Sequence, residues 1–332
     1  MNNNLEIDKV IIKPGERKNW EINVNSRISD SVKIPITTIN GKNEGPTLCI
    51  TAGVHPTEYS CIEAALQISR EIDSNNLSGK LIILPILNTI GFEAKLPGGI
   101  PIDLVDIFAA FPGNNNSSIG HQMAYNIFNK IIKKSDYLID LHGGELTESK
   151  SISLTWFANT NNEEIDNKSK NMAKIFGTKY MLDASTVYLG KDEWKGPTGL
   201  LIYEAAKVGI PTIIGESGGG GKMDDESIST LKNGILNVMK ELKMIDGEVK
   251  TNNPIEINSL TLPIATKTGL FYCYVKAGEE VDNNQLLGEI KNLEGETLQE
   301  IKSPMSGIIE ITVINPVIKA GDYVLAVVKK SN

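Results

Sequence analysis

Two histidines and a glutamate lie in motifs that could bind a metal ion. His55 and Glu58 belong to the segment Gly-Val-His-Pro-Thr-Glu, which follows an apolar strand and opens a helix. A tight turn lets a histidine and a glutamate three positions apart reach one point, and both side chains suit zinc. This spacing is weak evidence by itself, because a glutamate at a helix start beside a surface histidine has the same pattern.

The second motif is Asp140-Leu-His142, at the end of a buried strand and before two glycines. Functional residues of open α/β sheets gather at such strand ends. Residues two apart share one side of a strand, so Asp140 could hold the imidazole of His142 in one tautomer, behind a metal ion. A histidine satisfied by backbone groups at the strand end is the equal alternative.

The third motif places an acidic residue between a strand and a run of glycines. Glu216 follows the apolar segment 212–215 and precedes Ser217 and four glycines. A carboxylate buried there is unfavourable unless it is paired or reactive, and the spacing matches neither a P-loop nor a dinucleotide fingerprint. Together, the three motifs supply two histidines and a carboxylate for a zinc site with an open position, and a second carboxylate as general base.

Apolar strands must position these motifs. Such strands alternate with helical segments up to about Met244, which predicts a sheet with helices on both faces. From Ile257 onward the pattern changes to short strands and turns, and two similar stretches, 275–281 and 317–324, form a half-repeat. We predict an α/β fold with a mixed central sheet flanked by helices in residues 1–250, and a β-rich C-terminal domain in residues 256–332.

Composition narrows the class of protein. The 332 residues suit about two domains, and 40% hydrophobic with 22% charged residues excludes wholesale disorder. The net charge of −8 weighs against nucleic acid and anionic membranes as partners. The sequence has no apolar run of about 18 residues and no signal-peptide pattern. With three scattered cysteines, a cytoplasmic location is expected.

These motifs make the chain resemble the succinylglutamate desuccinylase/aspartoacylase family, a branch of the zinc-carboxypeptidase-like fold. The likeness is collinear over nearly the whole chain. The matching motifs lie at residues 53–58, 88–92, 111–113, 140–142 and 216–221. The C-terminal part resembles the β-rich, lipoyl-like (barrel-sandwich) domain of longer bacterial-type members, without a lysine in the hairpin context of a lipoyl or biotinyl group.

The resemblance implies one zinc ion per chain. The implied ligands are His55, Glu58 and His142, with Asp140 behind them. Glu216 is implied as the base that deprotonates zinc-bound water and then protonates the leaving amine, while zinc polarises the scissile carbonyl. Lys95 stands where the family has an arginine near the reacting oxygen, and it can offer charge to an oxyanion without a planar fork.

One departure from the family concerns the substrate. Members usually carry Asn-Arg shortly before Phe-Pro-Gly to grip a substrate carboxylate, but here Phe108 and Ala109 follow Asp106. We predict that these three residues line the substrate site. Without the clamp, a substrate that is neutral, amidated or cationic at that end is expected. Acidic loop residues could line the pocket or form a solvated surface: Asp103, Asp106, Asp192 and Glu193, with Trp194 beside them.

The leading hypothesis is a zinc-dependent hydrolase that cleaves the amide C–N bond of a small N-acylated substrate. Three alternatives remain open: acyl transfer or amide-bond formation at the same zinc site, a metallocarboxypeptidase, and a non-catalytic protein that keeps the fold. The expected partner is a small-molecule amide, with no nucleic acid and no membrane. The sequence leaves open whether the chain forms a homo-oligomer.

Overall fold

The computed structural model describes residues 3–24, 31–150, 152–188, 198–251 and 253–330. The helices are α1 (Tyr59–Glu71), α2 (Thr89–Ala94), α3 (Ile119–Lys130), α4 (Glu163–Phe176), α5 (Leu201–Lys207) and α6 (Asp225–Glu241). Short 3-10 turns lie at Ile107–Ala109, Ile132–Lys134 and Ala184–Thr186. In these ranges, no helix is both long and apolar enough to span a bilayer.

Strands dominate both ends of the chain. The first twelve are β1 (Leu5–Ile7), β2 (Val10–Ile12), β3 (Arg17–Val24), β4 (Val32–Asn40), β5 (Asn43–Thr51), β6 (Ser78–Leu84), β7 (Tyr137–His142), β8 (Glu148–Lys150), β9 (Leu154–Phe157), β10 (Tyr180–Asp183), β11 (Val187–Tyr188) and β12 (Thr212–Glu216). The others are β13 (Ile255–Thr261), β14 (Gly269–Cys273), β15 (Glu280–Val281), β16 (Leu286–Lys291), β17 (Thr297–Lys302), β18 (Gly307–Val313), β19 (Val317–Ile318) and β20 (Leu325–Lys330).

One large sheet organises the protein, with the strand order β15-β18-β20-β13-β10-β9-β12-β7-β5-β6-β4-β3. At its centre, β5 pairs in parallel with β6 and β7, and β7 pairs in parallel with β12. The pairs β9–β12 and β4–β6 are antiparallel. The predicted mixed α/β sheet flanked by helices is therefore confirmed.

The central strands are apolar because helices cover both of their faces. In β7, Leu138 packs in one buried cluster with residues of α3 and α5. The next residue, Ile139, packs in a second cluster with residues of α1, α4 and α6. All five residues of β12 are buried. These apolar runs are typical of strands buried between two helical layers.

The C-terminal strands continue the large sheet. The edge of β10 pairs in parallel with β13, and β13 then pairs with β20. A second link is the antiparallel pairing of β8 with β18, in which Lys150 lies opposite Ile311. Only strands and turns occur in the described part after residue 252, as expected for a β-rich C-terminal part. The domain boundary between residues 250 and 256 stays a prediction.

The half-repeat forms the same turn twice. Glu279 Oε2 accepts a hydrogen bond from the Lys276 backbone N–H at 3.0 Å, and Asp322 Oδ2 accepts from the Lys319 N–H at 2.9 Å. The glycine before each carboxylate has a positive φ, 91° in the first copy and 97° in the second. The similarity in sequence is therefore a similarity of backbone conformation.

The packing of α4 against β12 can be tested at Gly215. A Cβ at Gly215 would lie 2.4 Å from Cζ of Phe176, whose side chain is 1% exposed and has no room to move. We expect Gly215→Ala to lower the free energy of unfolding by about 1–3 kcal/mol, measured by urea denaturation. Combined with Phe176→Leu, which opens space, the two losses should be less than additive. Full additivity would show that the ring is not the obstacle.

Candidate active site

The motifs that carry the candidate metal ligands meet at the carboxyl edge of the central strands. His55 and Glu58 lie between β5 and α1, and His142 is the last residue of β7. Since β5 and β7 are parallel neighbours, their carboxyl ends lie at the same edge. Glu58 is the N-cap residue of α1 but makes no side-chain cap hydrogen bond. Its Oε2 instead accepts from the Gly143 N–H at 3.1 Å.

The three side chains form a compact group of donor atoms. Glu58 Oε1 lies 3.1 Å from Nδ1 of His55, and Glu58 Oε2 lies 3.2 Å from Nδ1 of His142. One donor atom from each residue falls within 4.8 Å of the other two. Ligands about 2.1 Å from a zinc ion at tetrahedral angles lie about 3.4 Å apart. The residues His55, Glu58 and His142 could therefore hold a metal ion.

Asp140 orients His142 from behind. Its Oδ2 lies 3.2 Å from Nε2 of His142, and its Oδ1 accepts from the Thr51 hydroxyl at 2.6 Å. A carboxylate at Nε2 keeps a proton there and leaves Nδ1 free as a ligand atom. Asp140 is buried, so its orientation is set by the strands on either side.

Electrostatics at this group favour a cation. Burial lowers the pKa of His142, but the charges of Glu58 and Asp140 outweigh it and raise that pKa to about 10. Burial raises the pKa of Glu58, but the imidazoles of His142 and His55 outweigh it and lower that pKa to about 2. Carboxylates that stabilise an imidazolium also stabilise a divalent cation at the same point.

The 3-10 turn at Ile107–Ala109 covers the two histidines. The ring centroid of Phe108 lies 5.1 Å from that of His55 and 5.2 Å from that of His142. Asp106 Oδ1 lies 3.6 Å from Nε2 of His55. Phe108 and Asp106 both line the cavity at the site, whereas Ala109 is exposed and is not among its lining residues.

Glu216 lies beside His142 because β7 and β12 pair in register at these two positions. The Glu216 side chain is largely buried and has a partner at each oxygen. Lys150 Nζ is ion-paired with Oε1, and Trp156 Nε1 donates to Oε2 at 3.1 Å. These contacts hold the carboxylate in one orientation at the wall of the cavity.

The structure does not bring Lys95 to this site. Lys95 is exposed, caps the C-terminal end of α2 in a left-handed conformation and is absent from the cavity lining. The cation at the cavity is Lys150, the only lysine or arginine among the described lining residues. Sequence reasoning missed Lys150, since no motif surrounds it and its partners are distant in the chain.

The C-terminal part supplies one wall of the cavity. Leu260, Leu262, Glu310, Ile311 and Tyr323 line it. The hydroxyl of Tyr323 donates to Glu148, which follows β7 in the chain. Sequence reasoning missed this wall as well, although Glu310 is a lone carboxylate in the otherwise uncharged β18, and that was a usable signal.

The cavity has a volume of about 310 Å³ and an acidic wall. Six carboxylates line it: Glu58, Asp106, Glu145, Glu148, Glu216 and Glu310. Asp103 is not among the lining residues, because its oxygens accept from the backbone N–H groups of Val105 and Gly120. The other candidates from the sequence lie outside the described residues: Asp192, Glu193 and Trp194.

Comparison with known proteins agrees with the fold and the motifs. The model of the succinylglutamate desuccinylase/aspartoacylase catalytic domain matches residues 44–242, more than half of the chain. The chain belongs to this family.

Individual relatives cover nearly the whole chain. An N-alpha-acetyl-L-2,4-diaminobutyric acid deacetylase from Halomonas elongata is 25% identical over 313 residues, which is 90% of this chain and 86% of the relative. The product-bound ectoine utilization protein from Ruegeria pomeroyi superposes with a TM-score of 0.83 at 22% identity, covering 99% of both chains. A succinylglutamate desuccinylase from Silicibacter sp. gives a TM-score of 0.83 at 21% identity, covering 96% of this chain and 97% of that one.

Metal binding can be tested by substituting a candidate ligand, His142, and by substituting Asp140, which orients its imidazole. After equilibration with zinc and dialysis, we expect one metal ion per wild-type chain and none with His142→Ala, measured by elemental mass spectrometry. Asp140→Asn should weaken metal binding about 10- to 100-fold in a chelator competition, because the imidazole loses its orienting carboxylate.

The matched control is His121→Ala, since His121 lies on α3 and is not among the described lining residues of the cavity. It should retain the wild-type metal content. Full metal content in His142→Ala would contradict the ligand assignment.

Proposed function

We propose that this protein is a zinc-dependent hydrolase that removes the acyl group from a small N-acylated substrate by cleaving an amide C–N bond. The observation that carries the proposal is one cavity holding both the His55–Glu58–His142 group and Glu216. Membership of the desuccinylase/aspartoacylase family supports it. The Halomonas elongata relative, named as a deacetylase, supports an acetyl group as the acyl group.

His55, Glu58 and His142 would hold a zinc ion, which would lower the pKa of a bound water and polarise the scissile carbonyl. The protein then needs a base, and Glu216 takes that role because it lies beside His142. It removes a proton from the attacking water and delivers it to the nitrogen of the leaving amine. Lys150 and Trp156 hold the carboxylate of Glu216 in place for both transfers. Asp140 keeps Nδ1 of His142 available as a ligand atom.

The cavity suits a small substrate. Its volume of about 310 Å³ lies at the lower end of ligand pockets, and the C-terminal wall at Leu260 and Tyr323 limits its extent. This argues against a carboxypeptidase, which must admit a chain. We also propose that the C-terminal part is a lipoyl-like barrel-sandwich, supported by its repeated turn, and that it serves as this wall.

The described residues that line the cavity include no carboxylate clamp. Phe108 packs on the histidines, Ala109 is exposed, and none of the described residues that line the cavity is an arginine. The remaining cation, Lys150, is engaged by two carboxylates, Glu216 and Glu310. A substrate carboxylate therefore has no charged partner among these lining residues.

The general base is tested by Glu216→Gln. We expect kcat on an acetylated amine to fall at least 100-fold, since a general base contributes about 10²–10⁴-fold, while the metal content stays at one per chain. The matched control is Glu226→Gln, an exposed glutamate on α6, which should keep wild-type kcat. An unchanged kcat in Glu216→Gln would refute the assignment.

Mass analysis of the products with an added amine would reveal acyl transfer.

The absent clamp is tested with N-acetyl-2,4-diaminobutyrate and its α-carboxamide. We expect kcat/KM for the two to agree within about 10-fold, or to favour the carboxamide, because neither Phe108 nor Ala109 can pair with a carboxylate. The measurement is steady-state release of acetate. A preference for the free acid above 100-fold would show that another group binds the carboxylate.

A further inference from the structure

The cavity carries more negative charge than a metal ion neutralises. Six carboxylates and one lysine line the cavity, so with neutral histidines, a divalent ion bound and every carboxylate ionised an excess of three negative charges remains. Burial raises the pKa of Glu145 and of Glu310, and with both of these protonated an excess of one negative charge still remains. An acidic wall of this kind attracts a positively charged ligand and repels an anionic one. This excess of negative charge therefore favours a positively charged substrate over an anionic one.

Glu310 is a buried carboxylate to which no group donates an aligned hydrogen bond. It is 1% exposed on β18 and lines the cavity. Its Oε1 lies 3.2 Å from Lys150 Nζ, but neither oxygen accepts an aligned hydrogen bond. Lys150 lies closer to Glu216. A buried carboxylate without a donor is unfavourable by an amount comparable to a lost hydrogen bond or more, so a donor arriving with a ligand would be favoured.

Two further carboxylates line the same cavity. Glu148, on β8, accepts from the Tyr323 hydroxyl. Glu145 lies three residues earlier, and its Oε1 accepts from the Gly98 N–H at 2.6 Å. Burial raises the pKa of Glu145 and of Glu310 to about 7, and a cation bound in the cavity would favour their ionised forms.

A second metal ion does not account for these carboxylates. Among the described residues, His55, Glu58 and His142 are the only group of three with donor atoms within 4.8 Å of one another. Glu145, Glu148 and Glu310 are therefore too far apart to surround an ion. An ammonium group needs only one short contact and gains from the remaining charges at longer range.

We propose that Glu310 binds an ammonium group of the substrate, assisted by the charges of Glu145 and Glu148, so that the preferred substrate is a monoacylated diamine. Its acylated nitrogen lies at the His55–Glu58–His142 group, and its free amine points to the C-terminal wall. This rests on the proposed function, and it makes Glu310 a specificity-determining residue donated by the C-terminal part.

The test uses three probes that differ at one end only. Mono-N-acetyl-1,3-diaminopropane ends in an ammonium, 3-acetamidopropan-1-ol ends in a hydroxyl and N-butylacetamide ends in a methyl group. With the zinc-loaded wild-type enzyme, we expect kcat/KM for the ammonium probe to exceed that for the methyl probe at least 10-fold, as for a charge-assisted hydrogen bond. In Glu310→Gln this ratio should fall about 10-fold.

The matched control is Glu300→Gln, at an exposed position on β17 of the same C-terminal part, which should keep the wild-type ratio. Titration calorimetry gives a readout that needs no turnover and no variant. Wild-type enzyme should bind 1,3-diaminopropane at least 10-fold more tightly than butylamine, and the difference should shrink in Glu310→Gln.

The outcomes separate the two proposals. Equal kcat/KM for the three probes in the wild-type enzyme would overturn the ammonium site and leave the hydrolase standing. An equal loss on all three probes in Glu310→Gln would show that Glu310 acts only through Lys150 and Glu216, and would overturn its role in specificity. No hydrolysis of any acylated amine would overturn the hydrolase and, with it, this inference. If Glu310→Gln does not fold, the wild-type binding comparison decides.

Discussion

Parallel pairing of three central strands is the constraint on which the site depends. Because β5, β7 and β12 run in the same direction, their carboxyl ends meet at one edge of the sheet. The register between β7 and β12 places His142 beside Glu216. Helical layers bury both faces of these strands, which keeps the edge rigid. A slip of one residue would turn one of the two side chains to the other face.

The pairing of buried charged side chains is the second constraint on the site. Each buried charged group at this edge is held by a partner of opposite charge or by a hydrogen bond. Asp140 lies behind His142, and Lys150 lies between Glu216 and Glu310. Buried charges of this kind are tolerated only when they are paired. Glu310 is the exception in degree, since its single contact is an ion pair without an aligned hydrogen bond.

Whether a feature of the site could be predicted from the sequence depends on how far apart in the chain the contacting residues are. The grouping of His55, Glu58 and His142 and the place of Glu216 beside it could be predicted because each residue belongs to a short motif at the end of an apolar strand. The mixed α/β sheet could be predicted from the alternation of strands and helices. Lys150 could not be predicted, and the isolated carboxylate of Glu310 in β18 gave no indication of where it lies, because the pairing of β8 with β18 brings together residues about 160 positions apart. Lys95 was chosen by analogy with a family arginine, but the left-handed cap of α2 leaves it exposed.

Two parts of the fold line this one cavity, and the pairing of β8 with β18 joins them. His142 and Glu216 lie on strands whose register the packed core enforces, while His55 and Glu58 lie in the connection between β5 and α1. The wall opposite, at Glu310 and Tyr323, belongs to a peripheral β unit that reaches the cavity by a three-residue ladder. Substitutions in that unit can therefore change the lining of the cavity while His142 and Glu216, whose positions the central strands fix, stay where they are.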